Sequence, residues 1–283
     1  MTGGILLFEK IHNKRDVASS RVRGRWYIKY WPELEEFVYG KKYDFVIYQK
    51  AYLLDHAKNY DGIKILDIAD SDWTEGQPIR EMLEYIDAIT CPTEVMADLF
   101  RQMTDKPVVV IPDRQDLEYC KVKKIHKGWA KEVVWHGYAH NSYVLGQAMP
   151  ALLRLGLNLS IISNEMINLK NQSEAVTGQS LNERWTKWNV DTFCQELIKS
   201  DICLMPPAYK PNDRFKSNNK TTLAWAIGMP VAANAEELEK FMDENERINE
   251  SEKNLKIVKE KFDIRQSVTQ LRELIEQIKK GKK

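Results

Sequence analysis

Short runs of apolar and β-branched residues alternate with longer amphipathic stretches along the whole chain, the pattern left when parallel strands are joined by crossover helices. In the first half, Ile5 to Phe8, Phe45 to Tyr48, Ile63 to Ile68, Ala88 to Cys91 and Val108 to Ile111 predict strands. Between them, Arg25 to Tyr39 and Pro78 to Tyr85 predict helices, and Thr93 is placed to cap a helix running towards Met103. Pro112 and Asp113 stop the last strand, and a polar stretch rich in lysine follows to Lys131. A second series then opens at Val133-Val134-Trp135, with further strands expected at Leu159 to Ile162, Ile202 to Met205 and Pro230 to Ala233. Its helices are expected at Ser142 to Leu155, Asp191 to Lys199 and Lys220 to Ile227, the last closed by Gly228 as a C′ glycine. Beyond Ala235 the chain is charged and helical, and Leu271, Leu274, Ile275 and Ile278 form one apolar stripe. The fold class is therefore α/β, with one domain over 1–125, a second over 126–262, and a terminal helix with a basic tail over 263–283.

Composition narrows this picture only modestly. A chain of 283 residues can build two domains without covalent staples. Its four cysteines, Cys91, Cys120, Cys194 and Cys203, lie far apart, include no CxxC pair and follow no secretory signal, so reduced thiols and a cytoplasmic setting are expected. No apolar run approaches the length of about 18 residues that a membrane span requires. The 42 Lys and Arg against 41 Asp and Glu leave a formal charge of +1, which neither demands nor excludes a polyanionic partner.

The most informative segment runs from Asp201 to Val231. A buried-type strand ends at Pro206, a polar loop follows, and Lys216-Ser217-Asn218-Asn219-Lys220-Thr221 opens a helix. A helix N-terminus offers unpaired N–H groups and a positive dipole end, and two lysines beside hydroxyl and amide side chains make a phosphate a natural ligand. The plainer reading is that Asn219 caps the helix and the lysines are solvated. His136 and His140 are four positions apart, but Gly137 points to a loop and no third ligand is evident, so no metal site is assigned. Trp188, and with it Trp185, is either a platform for a nucleobase or part of the core. Three carboxylates, Asp67, Asp70 and Asp72, cluster at a strand's carboxyl end, where Asp70 or Asp72 is a candidate general base and loop capping is the alternative. Lys50 leaves another strand end, and Arg21, Arg23 and Arg25 alternate before Trp26 in a pattern suited to a phosphorylated acceptor or to a solvated helix start.

Residues 201–233 resemble the donor-binding region of GT-B glycosyltransferases of the group 1, GT4-like kind, most closely in the turn Ala226-Ile227-Gly228-Met229-Pro230-Val231. Val133 to Tyr138 resembles the strand and glycine loop that open that family's C-terminal domain, and Trp188 to Phe193 the approach to its donor-site helix. The resemblance implies two Rossmann-like domains with a cleft between them, the first on the acceptor side and the second binding a nucleotide-sugar. It further implies a UDP- or GDP-sugar donor, no obligatory metal, and a leaving diphosphate neutralised by Lys220 and Lys216. His136, Gly137, Tyr138, Trp188, Pro206, Ser217, Asn218, Asn219 and Thr221 complete the implied donor set, while Arg21, Arg23 and Lys50 face the acceptor. The acceptor is a glycan, a small molecule or a nucleic acid, the last because sugar transferases that modify hydroxylated DNA bases use the same fold. Two departures stand out: the glutamate pair of the retaining enzymes is replaced by Asn, Ser and Lys between Asp213 and Lys220, and no glycine-rich loop follows Phe8. A non-catalytic module that binds nucleotide-sugars or glycans is the competing reading.

Overall fold

The computed structural model describes residues 1–169, 173–174 and 178–282. They form two compact units, one made of Met1–Asp116, Lys210–Asn218 and Phe262–Lys283, the other of Leu117–Tyr209 and Asn219–Lys261.

The first unit is built on a six-stranded sheet in the order β2-β1-β3-β4-β5-β6. Its strands are β1 (Gly3–Leu7), β2 (Leu34–Glu36), β3 (Phe45–Gln49), β4 (Ile63–Asp67), β5 (Ala88–Cys91) and β6 (Val108–Val110). Every pairing is parallel. β3 and β5 are buried along their whole length, as strands covered on both faces must be, which is why they read as unbroken apolar runs. The helix expected from Arg25 to Tyr39 stops at Tyr30. Pro32 cannot continue a helix and disfavours helical backbone at Trp31, which releases Leu34–Glu36 to pair with β1 at the sheet edge. Upstream, a π-helical turn over Arg21–Arg25 joins the short helix Ala18–Ser20 to Trp26–Tyr30. The terminal helix Ile264–Gly281 buries Val268, Leu271, Leu274 and Ile275 and packs against Trp26–Tyr30. Asp263 caps it by accepting from the Arg265 N–H at 3.0 Å.

The second unit carries a five-stranded sheet in the order β11-β10-β7-β8-β9, again wholly parallel. Here β7 is Glu132–Gly137, β8 Asn158–Ser163, β9 Glu183–Lys187, β10 Ile202–Leu204 and β11 Val231–Ala232. β7 alternates strictly: Val133 and Trp135 enter a layer with Leu145, Leu152 and Leu159, while Val134 packs with Phe193, Leu197 and Leu223 on the opposite face. The edge strand β9 has the charged sequence Glu-Arg-Trp-Thr-Lys, and nothing in its hydropathy marks it as a strand. The stretch expected as one helix from Ser142 to Leu155 is a 3₁₀ segment, Ala139–Gln147, followed by the helix Met149–Arg154 with Pro150 in its first turn. Asn219–Ala226 forms the helix expected there, and Gly228 follows it with φ +78°. That conformation favours glycine, and an added Cβ would also lie 2.9 Å from Ser251 Oγ.

The cysteines depart from the expectation of four reduced thiols. Cys120 and Cys194 are joined in a disulfide, their Cα atoms 5.8 Å apart across 74 residues of chain, while Cys91 and Cys203 are free and buried. Spacing along the chain conceals this pairing, because only the packing of the second unit brings Cys120 against the helix Phe193–Leu197. No described helix is long and apolar enough to cross a membrane.

Candidate functional site

Each sheet has one point at which the chain leaves in opposite directions, and ligands of open α/β sheets bind at the carboxyl ends of the strands beside such a point. In the second unit that point lies between β7 and β10, since β8 and β9 extend on one side and β11 on the other. Gly137 ends β7 there. A Cβ on Gly137 would come within 2.8 Å of Lys220 Nζ and 2.9 Å of the Trp135 ring, so only glycine leaves room for the ammonium to lie over the strand end. Lys220 is the second residue of the helix Asn219–Ala226, and its Nζ stands 5.7 Å from the centre of the Trp135 ring. A cation, a glycine-exposed backbone and the amino end of a helix therefore converge on one spot, which is the chemistry that holds a phosphate.

His136 lies beside them, buried. Burial, and then the positive charge of Lys220, push its pKa down to about 3, so the imidazole is neutral at ordinary pH. The ring of Phe193 meets it edge-on at 5.0 Å, and Trp188 lies 6.3 Å from Phe193. Pro206 is buried just past β10, whereas Tyr138 is exposed and stacks on His140 at 5.7 Å. Trp185 sits on β9 and donates its indole N–H to Ser163 Oγ at 2.9 Å. Asn219 and Thr221, in the first turn of the helix, are half-buried.

Three more of the expected donor residues lie immediately before Asn219 in the chain. Lys216, Ser217 and Asn218 belong to the first unit, where Lys216 pairs with Asp213 at 2.6 Å and Ser217 donates to Asp113 Oδ2 at 2.6 Å.

In the first unit the equivalent point lies between β1 and β3. Phe8 follows β1, and Lys50 follows β3 with φ +51°, a conformation uncommon for a residue with a side chain. Lys50 Nζ stands 4.9 Å from the centre of the Phe8 ring, 2.5 Å from Asp70 Oδ2 and 3.2 Å from Asp72 Oδ1. Tyr52 donates its hydroxyl to Asp72 Oδ2 at 2.6 Å. Burial raises the Asp72 pKa, with Lys50 and Tyr52 pulling against it. Burial alone would lower Lys50, but Asp70 and Asp72 outweigh it and hold the ammonium above its ordinary value. Asp70 stays half exposed and pairs with Lys50, while both oxygens of the buried Asp72 are occupied. Tyr52 escaped the sequence reading, although it stands two residues beyond Lys50.

Arg23 is not available to an acceptor. It is fully buried: Nε donates to both oxygens of Asp67 at 3.1 and 3.0 Å, Nη2 donates to Asp67 Oδ1 at 2.7 Å, and Nη1 bonds Asp113 Oδ1 at 2.8 Å and the Ile111 carbonyl at 2.7 Å. The π-helical turn aims it inward, and Asp67 thereby becomes a structural partner. Arg21 is half-buried, and Arg25 pairs with the buried Glu9.

No family model matches the chain, and neither does any curated protein. Solved structures do. Anabaena Alr3699/HepE in complex with UDP and glucose aligns with a TM-score of 0.63 at 12% identity, over 83% of this chain and 78% of that one. A glycosyltransferase from Rickettsia africae aligns at 0.62 and 12% identity over 98% of both chains. The DNA-modifying enzyme β-glucosyltransferase aligns at 0.51 and 13% identity, over 99% of this chain and 98% of that one. The chain has the fold of the GT-B glycosyltransferases. At these identities the likeness is one of fold. The GT-B match also includes longer proteins: the chain spans about half, 54%, of the matched Gap123 chain from Streptococcus agalactiae.

Proposed function

We propose that this protein is a glycosyltransferase that takes a nucleotide-sugar, a UDP- or GDP-sugar, as donor. The diphosphate binds the second unit at Lys220, Gly137 and the first turn of Asn219–Ala226, with the neutral His136 beneath it and Trp188 near the nucleoside. The observation that carries this reading is the place of Lys220 Nζ, 2.8 Å from where a Cβ of Gly137 would stand, at the carboxyl end of β7. As the bond to the departing diphosphate breaks, negative charge grows on it, and a fixed ammonium with helix N–H groups stabilises that charge without requiring a metal. The UDP held by the Anabaena protein of the same fold supports the donor class.

On the first unit, Asp70 is the group proposed to take the proton of an acceptor hydroxyl. It is the exposed member of its cluster and is held in place by Lys50, which Asp72 and Tyr52 anchor from the buried side. Lys216, which pairs with Asp213, and Ser217, which donates to Asp113, precede the helix Asn219–Ala226 together with Asn218 and complete the proposed donor set. The burial of Arg23 takes one of the three arginines away from a phosphorylated acceptor; a glycan or small hydroxylated molecule is the favoured class, and a hydroxylated DNA base is the alternative. Incubation with a panel of UDP- and GDP-sugars tests the proposal: hydrolysis or transfer that falls by about 10²–10³ in Lys220→Ala supports it, given the usual worth of one such charge-stabilising group. Tight donor binding without turnover on any acceptor would favour a binding module instead.

A further inference from the structure

The segment Lys121 to Lys131 contains five lysines and no acidic residue. In the second unit it runs as a strap without regular secondary structure, and its exposure alternates. Lys121, Lys123, Ile125, Lys127, Trp129 and Lys131 face outward, while His126 and Ala130 are buried. The inward side is firmly held: the Lys124 N–H donates to the Ile227 carbonyl at 2.8 Å, His126 Nε2 bonds the Gly228 carbonyl at 2.9 Å, and the Ala130 N–H donates to the Met242 carbonyl at 3.0 Å. Glu244 and the buried Arg247 bind the backbone of Gly128 at the turn, and Lys123 and Lys124 bend back onto the carbonyls of Ala226 and Ile198. What remains outside is a pair of large apolar side chains, Ile125 at 73% and Trp129 at 63% exposure, set among Lys121, Lys127 and Lys131.

The strap's backbone is fixed from within, and Ile125 and Trp129 are two large apolar side chains left outside it within four residues of each other. We propose that it is a docking surface for an anionic membrane, with Ile125 and Trp129 entering the headgroup boundary and the three lysines meeting lipid phosphates. Tryptophan is the side chain best suited to that boundary, and an aliphatic neighbour gains there by burying its apolar surface among the acyl chains. The cations are all lysines, compact charges suited to a diffuse anionic surface, where a nucleic-acid groove more often uses the bidentate fork of arginine. Docking of this kind places an enzyme at a surface and is independent of which sugar it transfers.

Co-sedimentation of the full chain with vesicles of phosphatidylcholine alone, and with added phosphatidylglycerol, tests this at low and high salt. Binding is expected only with the anionic lipid, weakened by salt, and lost in Ile125→Ser/Trp129→Ser with its circular dichroism unchanged. Lys121→Gln/Lys127→Gln/Lys131→Gln is expected to weaken it by about 100-fold, at roughly fivefold per lysine. The inference is overturned if anionic vesicles do not bind, if the serine variant binds them equally, or if the same residues instead drive binding to an oligonucleotide. Self-association lost in the serine variant, in place of vesicle binding, would likewise overturn it.

Discussion

Replacing Arg23 with Met should cost about 3–5 kcal/mol of stability, the range for removing one partner of a buried ion pair. The structure sets this magnitude through what the substitution leaves behind. Arg23 is fully buried and is the counter-charge for both Asp67 and Asp113. Without it, Asp67 keeps the Thr90 hydroxyl at 2.6 Å and Asp113 keeps the Ser217 hydroxyl at 2.6 Å, so two carboxylates stay inside with neutral donors only. Against a typical domain stability of about 5–15 kcal/mol, that loss is large enough to read as a shifted urea midpoint by circular dichroism. A triple variant, Arg23→Met with Asp67→Leu and Asp113→Leu, should recover much of the loss, because an apolar cluster of similar volume avoids the burial of charge. A loss below about 1 kcal/mol for the single variant would place Arg23 in the range of exposed pairs and refute the structural assignment. So would a variant of unchanged stability that had lost activity towards a phosphorylated acceptor.

Four further outcomes are expected. His136 is held at a pKa of about 3 in the folded chain, so the unfolded chain binds more protons between there and about 6.5; stability should be full above that value and fall on acidification by up to about 1.4 kcal/mol per pH unit, a slope that His136→Gln should remove in pH-dependent urea titrations. Gly137→Ala should weaken UDP binding by calorimetry while leaving the fold intact, since the new methyl displaces Lys220 Nζ and crowds Trp135; unaltered affinity would contradict the phosphate site. Cys120→Ser, or reduction of the wild type, should lower the stability of the second unit by up to about 4.5 kcal/mol, the chain-entropy value for a closed loop of this length, with thiol titration confirming the change from two free cysteines to four in the reduced wild type. Asp70→Asn should reduce transfer far more than donor hydrolysis, whereas a uniform loss in both would deny it the role of acceptor base.

The fold was legible where burial on both faces makes a strand continuously apolar, as in β3 and β5, and where glycine chemistry marks an end, as at Gly228. It was illegible at the sheet edges. β2 was absorbed into a helix because Leu34–Glu36 has no strand pattern of its own and is recruited only by pairing with β1, and β9 hides behind charged residues. The site divides in the same way. Helix-start and glycine chemistry singles out Lys220 and Gly137 as candidates, and the structure brings them together; the direction of Arg23 has no such signal, since it depends on a π-helical turn and on Asp67, a residue 44 positions away. Sequence spacing likewise gives no sign of the side-chain pairings of Lys216 with Asp213 and of Ser217 with Asp113. The disulfide was invisible for a related reason: pairing of Cys120 with Cys194 is a product of packing and not of spacing.

The most direct test of the central claim is titration calorimetry of the purified protein with UDP, GDP and their sugar conjugates, alongside Lys220→Ala. Saturable binding of a nucleoside diphosphate is expected, weakened by at least about tenfold when Lys220 loses its ammonium, as a charge-assisted contact to phosphate requires. Binding of equal strength in the variant, or none by any nucleoside diphosphate at millimolar concentration, would contradict it.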